Sequence, residues 1–246
     1  MATSTPFALV RSEPARPPST EPGTLGAPLF LLNLKVYPAQ LGPAAPRIAR
    51  VLEELGHSAG VPVAVAPSTP DLARVAAEVA IPVLAQHVDP VDAGPRTGFV
   101  PVEAVRASGG WGSLVSHSEH PLTARQVGEA VTRLTAAGLI AVVCARDVAA
   151  SGRLARSRPP YLAIEPPELI GGDRAVSTAR PEVVEGAVRA VRAVAPAARV
   201  LCGAGVHDRH DVRRALELGS SGVLVSSAVA LAPDPRKAIE ELLAGF

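Results

Sequence analysis

Eight short apolar segments recur along the chain, each about the length of a strand, with helix-like stretches between them. They run from Leu29 to Leu34, Val61 to Ala66, Pro82 to Gln86, Gly112 to Val115, Leu139 to Cys144, Tyr161 to Glu165, Arg199 to Cys202 and Gly222 to Val225. In the stretch Thr123 to Leu134, Val127, Val131 and Leu134 recur at i, i+4 and i+7, the stripe of an amphipathic helix. Strands that are apolar along their whole length are buried on both faces, and parallel strands need a crossover to return. The alternation therefore predicts an α/β fold with a parallel sheet. Eight such units predict a single-domain (β/α)8 barrel, for which about 250 residues is typical. An open doubly wound sheet is the second choice, because its Gly-rich turn after the first strand is missing. Asn33-Leu34-Lys35-Val36-Tyr37 stands there instead.

Residues 1–28 read differently. They hold six prolines and seven Ser or Thr, and their only apolar run is Phe7-Ala8-Leu9-Val10. A segment of this composition cannot bury enough surface to offset its ordering entropy, so it is expected to be a disordered extension, with the barrel spanning 29–246. The run is shorter than the apolar stretch of about 7 to 15 residues in a secretory signal, and Glu13 and Glu21 weaken a transit-peptide reading.

The remaining composition removes whole classes of function. The 24 basic and 23 acidic residues leave a net charge of +1, and one Trp, two Tyr and four Phe offer little to stack bases on, so nucleic acid is not an expected partner. No apolar run approaches the roughly 18 to 20 residues of a membrane span. Only two cysteines occur, Cys144 and Cys202, which points to a reducing compartment and a cytoplasmic protein. Both close strands and read as small packed hydrophobes, not nucleophiles.

In a barrel of this kind, chemistry sits at the C-terminal ends of the strands. The first strand ends in Asn33 and Lys35, the fourth runs into Ser116-His117-Ser118-Glu119, the sixth ends at Glu165, and the eighth runs into Ser226-Ser227. Taken singly, each has an ordinary reading as a cap, a rim residue or a structural histidine. Their joint occurrence on one rim makes a lysine, a histidine and a carboxylate available as charge stabiliser, electrophile and base. Pro166-Pro167 after Glu165 rule out simple helix continuation there.

These residues resemble the triosephosphate isomerase family, and its short-bodied archaeal type most of all. The matching segments are Asn33-Leu34-Lys35-Val36-Tyr37, Ala85-Gln86-His87-Val88-Asp89, Arg96-Thr97-Gly98, His117-Ser118-Glu119, Ala163 through Gly171 (AIEPPELIG), Leu201 through Val206 (LCGAGV) and Gly222-Val223-Leu224-Val225. They occur in family order over the whole folded body. The His-Ser-Glu and Glu-Pro-Pro-Glu-Leu-Ile-Gly segments are the specific ones; Asn-x-Lys alone would be weak.

The resemblance implies a TIM barrel and the interconversion of dihydroxyacetone phosphate and glyceraldehyde 3-phosphate through an enediol(ate), in glycolysis and gluconeogenesis. It makes Glu165 the base, His117 the electrophile and Lys35 the fixed positive charge, with Asn33 holding a substrate oxygen. It implies that the histidine stays neutral, the family being the worked case of that behaviour. Phosphate would be bound at Ile170, Gly171, Gly205, Ser226 and Ser227, and Pro166 to Ser177 would be a water-excluding lid. No metal and no cofactor are implied. Glu119 would be a buried partner of Lys35, its ordinary alternative being a cap or rim charge near Thr123. The loop 87–100 would insert into a neighbouring subunit, with Thr97 near another chain's Lys35, in a dimeric or tetrameric homo-oligomer.

Two departures from the family pattern keep alternatives open. Asp173 stands at the C-terminal hinge of the lid, and Ser226-Ser227-Ala228 alters the turn after the eighth strand. The alternatives are an isomerase of another short sugar phosphate, such as a tetrulose phosphate, and a non-catalytic sugar-phosphate-binding relative.

Overall fold

The computed structural model describes residues 24–169 and 175–246. Its strands are β1 (Leu29–Asn33), β2 (Val63–Ala66), β3 (Leu84–Ala85), β4 (Gly112–Val115), β5 (Ile140–Ala145), β6 (Tyr161–Ile164), β7 (Arg199–Cys202) and β8 (Gly222–Val225). All pair in parallel, in the order β2-β1-β8-β7-β6-β5-β4-β3. A parallel bridge between Val65 and Val83, and the hydrogen bond from Val65 N–H to the Pro82 carbonyl, join the two ends of this order into a barrel. The third strand, expected over Pro82 to Gln86, keeps only two ladder residues because closure is made by these looser contacts in front of it.

The described helices are α1 (Ala44–Ala59), α2 (Leu72–Ala76), α3 (Val102–Ala107), α4 (Ala124–Ala136), α5 (Val148–Leu154), α6 (Val176–Ala179), α7 (Pro181–Val194), α8 (Arg209–Glu217), α9 (Ser227–Ala230) and α10 (Pro235–Leu243). The stripe Val127, Val131 and Leu134 is buried on α4, as its spacing predicts. That helix starts at a capping box in which the Thr123 hydroxyl accepts from Gln126 N–H and the Gln126 side chain accepts from Thr123 N–H.

Side-chain alternation sorts the strands into two cores. Leu29, Leu31, Leu84, Leu114, Val142, Tyr161, Ala163 and Leu224 fill the interior, while Phe30, Leu32, Val115, Val143, Leu162 and Val225 pack outward under the helices. A period of two places Asn33 on the interior side of β1, at its C-terminal end. The opposite end is plugged by Tyr161, whose hydroxyl accepts from Leu25 N–H at 2.9 Å and donates to the Gly26 carbonyl at 3.0 Å. Leu25 is itself buried in the interior core. Leu25 and Gly26, within the expected N-terminal extension, thus pack against the barrel, because a leucine closes its bottom; residues 1–23 lie outside the described residues.

Candidate active site

Two loop residues next to the rim adopt left-handed backbone angles that non-glycine residues seldom take, Lys35 at φ +49° and Ser116 at φ +61°. Both are held by side-chain contacts. Asn33 Oδ1 accepts from Lys35 N–H at 2.9 Å, and Gln86 Nε2 donates to the Lys35 carbonyl at 2.9 Å and to the Ala66 carbonyl at 3.0 Å. Ser116 Oγ accepts from Leu122 N–H at 3.1 Å. The turns therefore place the two following functional groups in fixed directions. Lys35 Nζ reaches Glu119 Oε1 at 2.6 Å, and His117 is buried behind them.

His117 joins the lysine side of the site to the carboxylate side. Its Nδ1 accepts from Glu119 N–H at 3.2 Å, which assigns the ring proton to Nε2. Nε2 lies 3.4 Å from Glu165 Oε1. Burial works against the charged imidazolium, but the hydrogen bond and charge of Glu165, with the charge of Glu119, outweigh it and raise the His117 pKa while Glu165 rests against the ring. The N–H aimed at Nδ1 opposes a second proton, so a ligand that displaces the carboxylate leaves a neutral Nε2 donor.

Glu165 is 2% exposed, and its Oε2 is buried with no hydrogen-bond partner among the described residues. A buried carboxylate oxygen without a donor is costly, so this atom is open to a ligand's hydrogen. Gly203 gives the side chain its room. A Cβ there would lie 2.6 Å from Glu165 Cγ. The ordinary expectation for Gly203, a turn that needs permissive angles, is therefore replaced by a steric one; Gly205, at φ +66°, does have the backbone requirement. Behind the base, burial first and then the negative charge of Glu165 push the Cys144 thiol well above its ordinary value, and burial pushes Cys202 up to about 12. Neither is a nucleophile near neutral pH.

Asn33, Lys35, His117, Glu165, Gly205, Ser226 and Ser227 line one cavity of about 30 Å³ at the C-terminal strand ends. Ser226 precedes α9, and its buried Oγ has no hydrogen-bond partner among the described residues. Ile170 and Gly171, also expected at the site, lie outside the described residues together with Asp173. Glu119 differs from its expectation: it pairs with Lys35, but its side chain is 57% exposed because it sits in the loop over the rim. It does not cap the following helix, a role that Thr123 takes. Gln86 and Gly203 were given no site role by the sequence, since both act through contacts with segments distant in the chain.

Beside Lys35 a second, open hollow of about 510 Å³ runs between Val36, Thr97–Val100, His87 and His120. Val36 and Phe99 are exposed in it, and the His87 and His120 rings stack at 3.8 Å. Among the described residues no group of three His, Cys, Asp or Glu is arranged to hold a metal ion, and no helix is long and apolar enough to cross a membrane.

A family model described as triosephosphate isomerase matches residues 28–242. A triosephosphate isomerase of Methanothermus fervidus is 45% identical over 216 residues, 88% of this chain and 97% of the relative. Those of Methanosarcina acetivorans and Caldivirga maquilingensis are 43% and 42% identical, over 89% and 87% of this chain and 99% and 96% of theirs.

Proposed function

The chain belongs to the triosephosphate isomerase family and interconverts dihydroxyacetone phosphate and glyceraldehyde 3-phosphate, and we propose that Glu165, His117 and Lys35 carry out that reaction. The observation that supports the assignment is the convergence of an amine, an imidazole and a carboxylate on one small cavity at the catalytic end of a barrel. At about 30 Å³ the cavity holds roughly one water. The 3.4 Å contact between His117 and Glu165 occupies the place of the reacting carbons, so substrate entry must separate the pair.

With substrate between them, Glu165 takes the proton from C1 and returns it to C2. His117 Nε2–H donates to the carbonyl oxygen that becomes the enediol hydroxyl, and takes back a proton from the neighbouring oxygen. The Lys35 ammonium offsets the charge that builds on oxygen, a role commonly worth about 10² to 10³ in rate. Asn33 helps to hold that oxygen. Gly205 and the Ser226–Ser227 turn, with Ile170 and Gly171 of the lid, would receive the phosphate through main-chain N–H groups and two hydroxyls.

The exposed Phe99 and Val36 beside Lys35 support assembly into a homo-oligomer through loop 87–100, with the hollow between them receiving a neighbouring copy. The two free, buried cysteines agree with a cytoplasmic location.

A coupled assay of the purified chain tests the residue assignment. Turnover of dihydroxyacetone phosphate should fall at least about 10²-fold in Glu165→Asp and in Lys35→Met, with each variant still folded. Undiminished kcat in either would remove that residue from the mechanism. Turnover of a tetrulose phosphate in preference to the triose phosphates would reassign the substrate and leave the base in place.

A further inference from the structure

The end of the barrel opposite the active site carries a groove of about 580 Å³. Pro159 and Pro160, which lead into β6, lie in its middle; Val194, Ala197 and Ala198, which lead into β7, form the wall on one side and Leu139, which leads into β5, the wall on the other. Two polar side chains, Thr135 and Arg158, complete a lining that is otherwise apolar or glycine. Val194 is 37% exposed. Arg158 is exposed too, and among the described residues its guanidinium has no carboxylate partner.

The chain enters the fold beside this groove. Leu25 and Gly26 are bonded to the Tyr161 hydroxyl, which also accepts from Arg199 Nη1 at 3.0 Å. Tyr161 directly follows Pro160, and Arg199 directly follows Ala198. The residues that fix the entering chain are therefore continuous with the groove lining. The family match covers residues 28–242, so the 27 residues before it lie outside that match.

We propose that the groove is a docking site for the chain's own N-terminal segment Phe7–Val10. Within residues 1–23 this is the one apolar run, and the rest is Pro-, Ser- and Thr-rich. Fourteen residues separate Val10 from Leu25, enough to span up to about 46 Å when extended. Pro14, Pro17, Pro18 and Pro22 stiffen that connection and reduce the entropy lost on docking. Glu13, three residues beyond Val10, supplies a carboxylate for Arg158. A tether of this length holds the segment at an effective concentration on the order of millimolar, and burial of Phe7 and Leu9 in the groove supplies the driving force for docking that the segment lacks on its own.

Hydrogen exchange on three full-length or near full-length proteins tests this: the native chain, a chain lacking residues 2–20, and Leu9→Asp. The deletion stops short of Leu25, so the plug at the bottom of the barrel is kept. Amides of Val194, Ala195, Ala197, Ala198, Gly138 and Leu139 should exchange about tenfold more slowly in the native chain than in the truncated one. Leu9→Asp should lose that protection, with the same number of subunits by light scattering in all three. Equal exchange in native and truncated chains would overturn the proposal. So would protection that survives Leu9→Asp, which would move the docking to another part of the segment. Protection that disappears on dilution along with a fall in mass would give the groove to a second copy instead.

Discussion

Gln86 donates its side-chain amide to the carbonyl of Lys35 at 2.9 Å, and the same nitrogen reaches the Ala66 carbonyl at 3.0 Å. One side chain thereby ties the ends of β1, β2 and β3 together at the point where Lys35 turns through a left-handed conformation. Such a conformation costs on the order of 1–3 kcal/mol in a non-glycine residue and persists only where neighbours enforce it. Gln86 enforces it together with Asn33, which accepts from the Lys35 N–H, and through the main chain Gln86 aims the lysine amine.

Replacing that amide should therefore affect turnover more than binding. In Gln86→Ala the Lys35 carbonyl loses its donor, while the Ala66 carbonyl keeps the Leu34 N–H, so the loss costs about 1–3 kcal/mol in stability. A displacement of about 1 Å in the amine should lower kcat by roughly 10- to 100-fold. Steady-state kinetics beside thermal melts check this: a lowered Tm with an unchanged kcat would mean that the lysine holds its direction without Gln86.

Gly203 offers a second probe, because its role is steric. A methyl group 2.6 Å from Glu165 Cγ forces the base to move, since the clash falls on the stem of a buried side chain and not on its far end. Gly203→Ala should cost about 10²-fold in kcat. The Glu165→Asp background should reduce that penalty, because the shorter side chain retreats from the added methyl. Equal penalties in the two backgrounds would show that the methyl acts on something other than the base.

The barrel and the identity of its rim residues could be read from the sequence because both rest on local pattern. Continuous apolar segments at regular intervals have few folded solutions, and polar residues that close such segments must lie at strand ends. What stayed hidden depends on contacts between distant segments. Gln86 matters only because β1 and β2 end beside it, and nothing local in Ala85-Gln86-His87 says so. Gly203 reads as a turn glycine until Glu165 is placed against it. Glu119 was expected to be buried with Lys35; the pairing exists, but whether a loop carboxylate is covered depends on what packs above it. Leu25 sits within a Pro-, Ser- and Thr-rich stretch, and its burial is set by the Tyr161 hydroxyl 136 positions away.

Tyr161 provides a prediction for the end of the barrel remote from the chemistry. Its hydroxyl bonds to Leu25, Gly26 and Arg199, and the ring is 1% exposed. Tyr161→Phe keeps the ring and leaves three groups without that partner, so stability should fall by about 1–3 kcal/mol. Since the change lies at the N-terminal end of β6, kcat should stay within about twofold of the parent. A loss of turnover larger than the loss of folded protein would contradict this division between the two ends.

His87 supplies the pH dependence. Its ring stacks on His120 at 3.8 Å, and its Nε2 lies 3.2 Å from Asp89 Oδ1. Burial lowers its pKa most, the Asp89 hydrogen bond opposes this, and the charge of His120 adds to the lowering, so the net shift is below the ordinary value of 6.5. A folded-state pKa below the unfolded one means that the unfolded chain takes up the proton first as the solution is acidified. The stability contributed by neutral His87 is therefore full above about pH 6.5 and is lost as the pH falls below it. His117, with its raised pKa, contributes in the opposite sense: its stabilisation is present below pH 6.5 and lost as the pH rises through the folded-state value. Both chains in a comparison of the parent with His87→Gln contain His117, so its effect cancels. The parent's Tm should drop more than the variant's between pH 7.5 and pH 5.5. A Tm difference between the two proteins that stays constant over that range would show that His87 takes up its proton equally readily folded and unfolded, and the stacked pair would then carry no pH response.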